Sequence, residues 1–157
     1  MYIRNMESED YHEVSSIIND WWRGRNMSLP RLFFEHFQNT SYIIKEDNKI
    51  IGFLIGFLSQ SYPDEAYIHF AGIHPDYRRE GLGKKLYQLF FGEVRQHGVS
   101  KIRCITSIEN RKSIAYHTQI GFKIIPGDKT VEDIRVHSDY GGEGVDRVLF
   151  LKELKGK

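Results

Sequence analysis

The stretch from Ala66 to Val94, AYIHFAGIHPDYRREGLGKKLYQLFFGEV, limits what this chain can fold into more than any other part. It reads as a strand, a Pro-bearing turn, and a helix entered through Arg78-Arg79-Glu80-Gly81-Leu82-Gly83. Gly81 and Gly83 remove side chains where the backbone turns into the helix, so several N–H groups can point at one anion. The partial positive charge and unpaired amides of a helix start favour a phosphate or pyrophosphate there. Arg78, Arg79, Lys84 and Lys85 surround the same point with positive charge. The segment is a candidate phosphate cradle.

Two common cradles do not fit. A Walker loop needs G-x-x-x-x-G-K-[ST], and Gly81 and Gly83 have neither that spacing nor the hydroxyl residue. A dinucleotide fingerprint needs G-x-G-x-x-G, whereas Gly83 is followed by Lys84-Lys85-Leu86.

The remaining pattern predicts alternating elements around this segment. MYIRNM reads as a first strand, with Ser8 as cap of a helix whose Tyr11, Val14, Ile17, Ile18 and Trp21 recur at helical spacing. LPRLFFEHF (29–37) predicts a second short helix, and SYIIKEDNKIIGFLIGFL a hairpin turning at Asp47-Asn48. After the cradle helix come a strand in KIRCITS, a helix in NRKSIAYHTQI, a strand in FKIIP, a polar segment at 127–144, and a last strand in DRVLFLKEL. This order calls for an α/β fold, a mixed sheet with helices on both faces. No linker divides the chain, so one domain over 1–157 is expected.

Composition excludes several functions. Lys and Arg number 22 against 21 Asp and Glu, a balance without the footprint for nucleic acid or an anionic membrane. The longest apolar run, IIGFLIGFL, is too short to span a bilayer, and the acidic start does not read as a signal peptide. A cytoplasmic protein is expected. Cys104 is the single cysteine, so there is no internal disulfide, and the 7 histidines lack metal-ligand spacing. No metal is expected.

R-x-x-G-x-G after a strand and HPDY resembles the acyl-CoA pyrophosphate loop of the GNAT superfamily of N-acetyltransferases, and the element order is similar to that family over essentially the whole chain. The resemblance implies the GNAT fold, with the central sheet splayed at the acetyl-CoA strand. It implies acetyl-CoA as co-substrate, held by main-chain atoms of Ala71, Gly72 and Ile73 and by Arg78, Arg79, Glu80, Gly81, Leu82, Gly83 and Lys84. A second motif, ENRKSIAYHTQIGF, matches the family at Asn110, Ser113, Gly121 and Phe122, which adds Asn110 and Ser113 to the acetyl-CoA set. Where the family has a tyrosine, this chain has His117, with Tyr116 one residue early. One residue is about 100° on a helix, so only one of them faces the thioester, and register favours His117 as acid to the departing sulfur.

An attacking amine must lose a proton. His69, on the same strand face as Ala71 and Ile73 if alternation is regular, is the candidate base, with Glu65 as rival. By the same resemblance the acceptor pocket draws on the first two helices and the late loop. There Asp20, Trp21, Trp22, Arg23 and Arg25 offer an aromatic wall and charges, Asp139, Tyr140 and Glu143 offer more, and the glycines of DYGGEG suit a mobile lid. The expected activity moves an acetyl group to a primary amine of a small molecule or peptide in a ternary complex. The alternative is a catalytically weak acyl-CoA-binding regulatory module. Expected partners are that acceptor and, as an oligomer, a second copy in a homodimer, with no nucleic acid and no membrane.

Overall fold

The computed structural model describes residues 1–21 and 29–155. In chain order the elements are strand β1 (Tyr2–Asn5), helices α1 (Asp10–Trp21) and α2 (Arg31–His36), strands β2 (Tyr42–Glu46), β3 (Lys49–Leu58) and β4 (Glu65–Ile73), helix α3 (Leu82–Arg95), strand β5 (Lys101–Thr106), helix α4 (Arg111–Gln119), and strands β6 (Lys123–Ile125), β7 (Lys129–Val131), β8 (Ile134–Val136) and β9 (Val148–Glu153). Seven strands hydrogen-bond in the order β1-β2-β3-β4-β5-β9-β6, and β7-β8 form a separate pair. β4 and β5 run parallel, connected through α3, while β1–β2, β2–β3, β5–β9 and β6–β9 are antiparallel. The sheet is therefore mixed, with helices on both faces, as the α/β reading expects.

The chain forms two compact units, Met1–Leu58 with Ile68–Gly98, and Ser59–Tyr67 with Val99–Lys157. In the first unit, α1 buries Val14, Ile18 and Trp21 at helical spacing against Phe34 of α2 and Ile43, Phe53 and Ile55 of the strands. Ile43 and Phe53 are register partners and share that face, while the next pair, Ile44 and Gly52, points to the other. α3 packs on β3 with Leu86, Phe90 and Val94 buried along one stripe. The start of α1 departs from the sequence reading. Ser8 donates its hydroxyl to Glu35 instead of capping, and the Asp10 carboxylate in the first turn reaches back to the chain before the helix. It accepts the Glu7 N–H at 2.7 Å and a two-pronged pair from Arg4, both at 2.9 Å. Burial pushes the Asp10 carboxyl up, but Arg4 and the Glu7 amide outweigh it and hold the pKa below its usual 3.8.

In the second unit β5 pairs with β9 along its whole length and with Glu65–Tyr67 of β4 through Lys101–Arg103. Ile102, Cys104 and Thr106 alternate inward. Burial pushes the Cys104 thiol up, which removes it as a nucleophile. The polar segment after β6 contains the β7–β8 hairpin, which the sequence did not signal. Its turn places Glu132 (φ 49°) and Asp133 (φ 71°) in the left-handed region, the geometry usually marked by Asn-Gly.

Candidate functional site

The cradle lies in the first unit. Gly81 caps α3 in the left-handed region (φ 78°, ψ 10°), and Arg79 two residues earlier is also left-handed at φ 71°. Such reversals make successive amides point into one concavity, and an arginine accepts that conformation only under constraint. The first helical bond runs from the Lys85 amide to the Gly81 carbonyl at 3.0 Å, so the amides of Leu82, Gly83 and Lys84 precede the helical ladder. Arg79, Glu80, Lys84 and Lys85 are exposed around them. The donor set and helix polarity fit a pyrophosphate.

Arg78 is placed differently from the expectation. Its Nε donates to the Ile73 carbonyl at 3.0 Å and its Nη2 to the Trp21 carbonyl at 2.9 Å. It braces the end of β4 to the end of α1, because the turn between β4 and α3 folds its side chain back across both carbonyls. His74 supports the same turn: its amide donates to the Ile51 carbonyl at 2.8 Å, and its Nδ1 accepts the Asp76 amide at 3.0 Å.

Among the described residues the parallel β4–β5 ladder stops at the Tyr67–Arg103 pair, although β4 continues to Ile73. Ala71, Gly72 and Ile73 lie in that continuation. His69 is there too, about 7 Å up the strand from Ala71. The shared-face argument for His69 does not hold. Its ring meets Phe33 of α2 edge-on at 4.6 Å, while the neighbouring Phe70 meets Phe53 at 6.0 Å, so two consecutive residues reach the α1/α2 side. Ile73 instead reaches toward Ile44 and Gly52 on the opposite side. Alternation breaks within β4, as a bulge would break it. His69 stays accessible, yet crowding by these rings desolvates the imidazole and holds its pKa below the usual 6.5. The rival Glu65 engages Arg103 through both oxygens, at 3.1 and 3.2 Å.

The second motif is built into the second unit. Asn110 caps α4, its side-chain oxygen accepting the Ser113 amide at 3.3 Å. His117 is buried, stacked on Phe150 at 5.2 Å and edge-on to Phe122 at 5.2 Å. Its Nδ1 is 2.8 Å from the Ser113 carbonyl, which only accepts, so Nδ1 carries the proton and Nε2 the lone pair. Burial lowers the imidazole pKa against the opposing pull of the Ser113 carbonyl. In that tautomer a neutral ring has no proton at Nε2 to give, so the general-acid role expected of His117 needs the imidazolium, the form that burial disfavours. Tyr116 is half-buried, and burial raises the pKa of its hydroxyl.

The acceptor candidates divide. Trp21 is core, 4% exposed, and meets Phe53 and His74. Asp20 and Tyr140 are exposed. Trp22, Arg23 and Arg25 lie outside the described residues. The late loop is tied rather than lid-like: the Asp139 carboxylate accepts the Gly144 amide at 2.8 Å, and the Asp146 carboxylate accepts the Asp139 amide at 3.0 Å. With Ile108 and Val136 it lines a cleft of about 360 Å³. Among the described residues no cluster of His, Cys, Asp and Glu could hold a metal ion, and no helix is long and apolar enough to cross a membrane.

The turn geometry of the cradle and the mixed sheet agree with what the chain matches. Residues 3–122 match the acetyltransferase (GNAT) family, and the protein belongs to that family. Among its relatives is an L-2,4-diaminobutyric acid acetyltransferase of Nocardia farcinica, 31% identical over 84 residues, which are 54% of this chain and 44% of that protein. Another is the ribosomal protein bS18-alanine N-acetyltransferase of Escherichia coli, 28% identical over 82 residues, 52% of this chain and 53% of that one. The chain thus aligns with about half the length of these relatives. Naa20 of Chaetomium thermophilum, solved with a bisubstrate analogue, has the same fold at 16% identity (TM-score 0.78, 99% of this chain and 87% of that one). So does the diaminobutyrate acetyltransferase EctA of Paenibacillus lautus at 20% identity (TM-score 0.74, 99% and 96%).

Proposed function

We propose that the protein transfers the acetyl group of acetyl-CoA to a primary amine. The observation that carries this reading is the left-handed Gly81 turn, which opens the amides at the start of α3 immediately after a strand whose last residues lie beyond its ladder with β5. The amides of Leu82, Gly83 and Lys84, with the side chains of Arg79 and Lys84, hold the pyrophosphate. Main-chain groups of Ala71, Gly72 and Ile73 align the pantetheine arm, and one of their amides stabilises the charge developing on the thioester oxygen.

The amine nitrogen forms a bond to the thioester carbon, and the carbon–sulfur bond breaks. An alkylammonium, with a pKa near ~10.4, must first lose a proton, and His69 takes it. The lowered His69 pKa keeps the ring neutral and ready to accept. The proton passes from His69 to solvent. The thiolate of CoA, whose conjugate thiol has a reference pKa near ~8.5, is a tolerable leaving group, and the second proton, which the attacking nitrogen sheds on becoming an amide, passes through water to the sulfur.

A non-catalytic acyl-CoA-binding module is the second reading, favoured by the structural commitment of His117. Thiol release from acetyl-CoA over a panel of amines separates the two. Under the transferase reading kcat/KM rises with pH through a group below the usual imidazole value, and His69→Ala removes that limb. Tight acetyl-CoA binding with no thiol release for any amine supports the module. Identical profiles for wild type and His69→Ala move the proton to another acceptor.

A further inference from the structure

His69 stands at the end of a row of aromatic rings that no step above uses. Phe33 stacks on Phe37 with centroids 5.3 Å apart and planes at 20°, and Phe37 stacks on Phe57 of β3 at 5.0 Å and 27°. Phe33 then turns its ring against His69 at 4.6 Å and 67°. The true core phenylalanines, Phe34 and Phe53, are fully buried, whereas Phe33, Phe37 and Phe57 are each only half-buried. The row therefore keeps an open flank beside the imidazole.

We propose that Phe33, backed by Phe37 and Phe57, is the specificity wall for the acceptor, selecting a primary amine carried on an apolar group and positioning the His69 ring where that amine gives up its proton. The inference rests on the reading of His69 as base. An apolar substituent laid on these rings gains about fourfold in affinity per buried methylene. The ammonium form of the same amine is attracted to the ring faces before it loses its proton. A second ammonium or a carboxylate would instead be desolvated there without a partner.

Among the described residues of α2, β3 and β4, the ionisable groups around His69 offer such a partner only in His36. On α2, Arg31 and Glu35 pair with each other at 3.4 Å, which leaves His36. From Ile50 to Leu58, β3 carries no ionisable side chain. On β4, Glu65 is held by Arg103, and the remaining ionisable group is the Tyr67 phenol, whose pKa burial raises. Desolvation is accordingly the cause of the His69 shift, and the Phe33 ring supplies part of it.

The test compares kcat/KM for 3-methylbutylamine and 2-phenylethylamine with that for putrescine and L-2,4-diaminobutyrate, in wild type, Phe33→Ala and Phe33→Leu, at saturating acetyl-CoA and across pH. Calorimetric binding of acetyl-CoA serves as the folding control. In wild type the apolar amines lead by at least about tenfold, the worth of one to two buried methylenes. Phe33→Ala removes that lead mainly through KM and moves the acid limb up toward the ordinary imidazole range, and Phe33→Leu restores most of the lead. Preference for putrescine or diaminobutyrate in wild type overturns the proposal. So does an equal loss for all four amines in both variants with the acid limb unmoved, which would make Phe33 a packing residue only. Absence of thiol release for every amine overturns the transferase reading itself, and this inference with it.

Discussion

The cradle makes a sharp demand on one atom, the missing Cβ of Gly81, and a pair of Gly→Ala changes on α3 isolates it. At Gly81 a Cβ would meet no heavy atom within 4 Å, so Ala there causes no clash and its cost is that of holding φ 78°. For an L residue with a Cβ that is about 1–2 kcal/mol. Gly92 lies on the same helix, also with open space around a Cβ, but in ordinary helical backbone. Ala at Gly92 should stabilise by about 0.5–1 kcal/mol, or roughly 1–4 °C in Tm for a chain of this size. If the turn keeps its shape in Gly81→Ala, the cost appears as a fall in Tm with acetyl-CoA affinity held. If the turn relaxes, the amides of Leu82, Gly83 and Lys84 swing off the pyrophosphate and affinity drops by about 5- to 30-fold. Asn tolerates the left-handed region, so Gly81→Asn should recover most of either loss. Differential scanning calorimetry and calorimetric titration with acetyl-CoA read both quantities on the same samples. Equal behaviour of Gly81→Ala and Gly92→Ala in Tm and in affinity would refute the assignment.

Two further changes probe the supports of the site. Arg78→Ala removes two charge-assisted bonds to backbone carbonyls and should lower Tm by several degrees, at about 1–2 kcal/mol lost. Arg78→Lys should not rescue it, because a single ammonium cannot span both carbonyls; full rescue by Lys in thermal melts would show that only charge matters there. His117 contributes a pH term to stability. Its folded pKa lies below the unfolded value near 6.5, so the unfolded chain binds the proton first. Stability is full above about 6.5 and declines as pH falls from there through the folded pKa. His117→Leu should flatten that decline in Tm between about pH 7 and pH 5, leaving the part due to His69. An unchanged slope would place His117 in contact with water.

What the sequence alone determined is what local chemistry enforces. Helical spacing of Val14, Ile18 and Trp21, the apolar run of β3 and the glycines before α3 need only near neighbours to be read, and each element is where that reading puts it. The left-handed Gly81 at the head of a helix is of the same kind. The tertiary structure decided which side chains meet. Arg78 reads as a phosphate ligand by position in the motif, but its fork is spent on two carbonyls that are 5 and 57 residues away. Ser8 reads as a cap, but its hydroxyl is donated to Glu35, 27 residues further along the chain. Strict alternation would set His69 beside Ala71 and Ile73, and a local break in β4 turns it against Phe33 instead. His117 occupies the register of a catalytic group, yet it packs between Phe150 and Phe122 with its Nδ1 proton donated to the Ser113 carbonyl. Periodicity and turn chemistry act over a few residues and survive in one dimension. Side-chain partnership depends on burial and on strands distant in sequence, so only the folded chain fixes it.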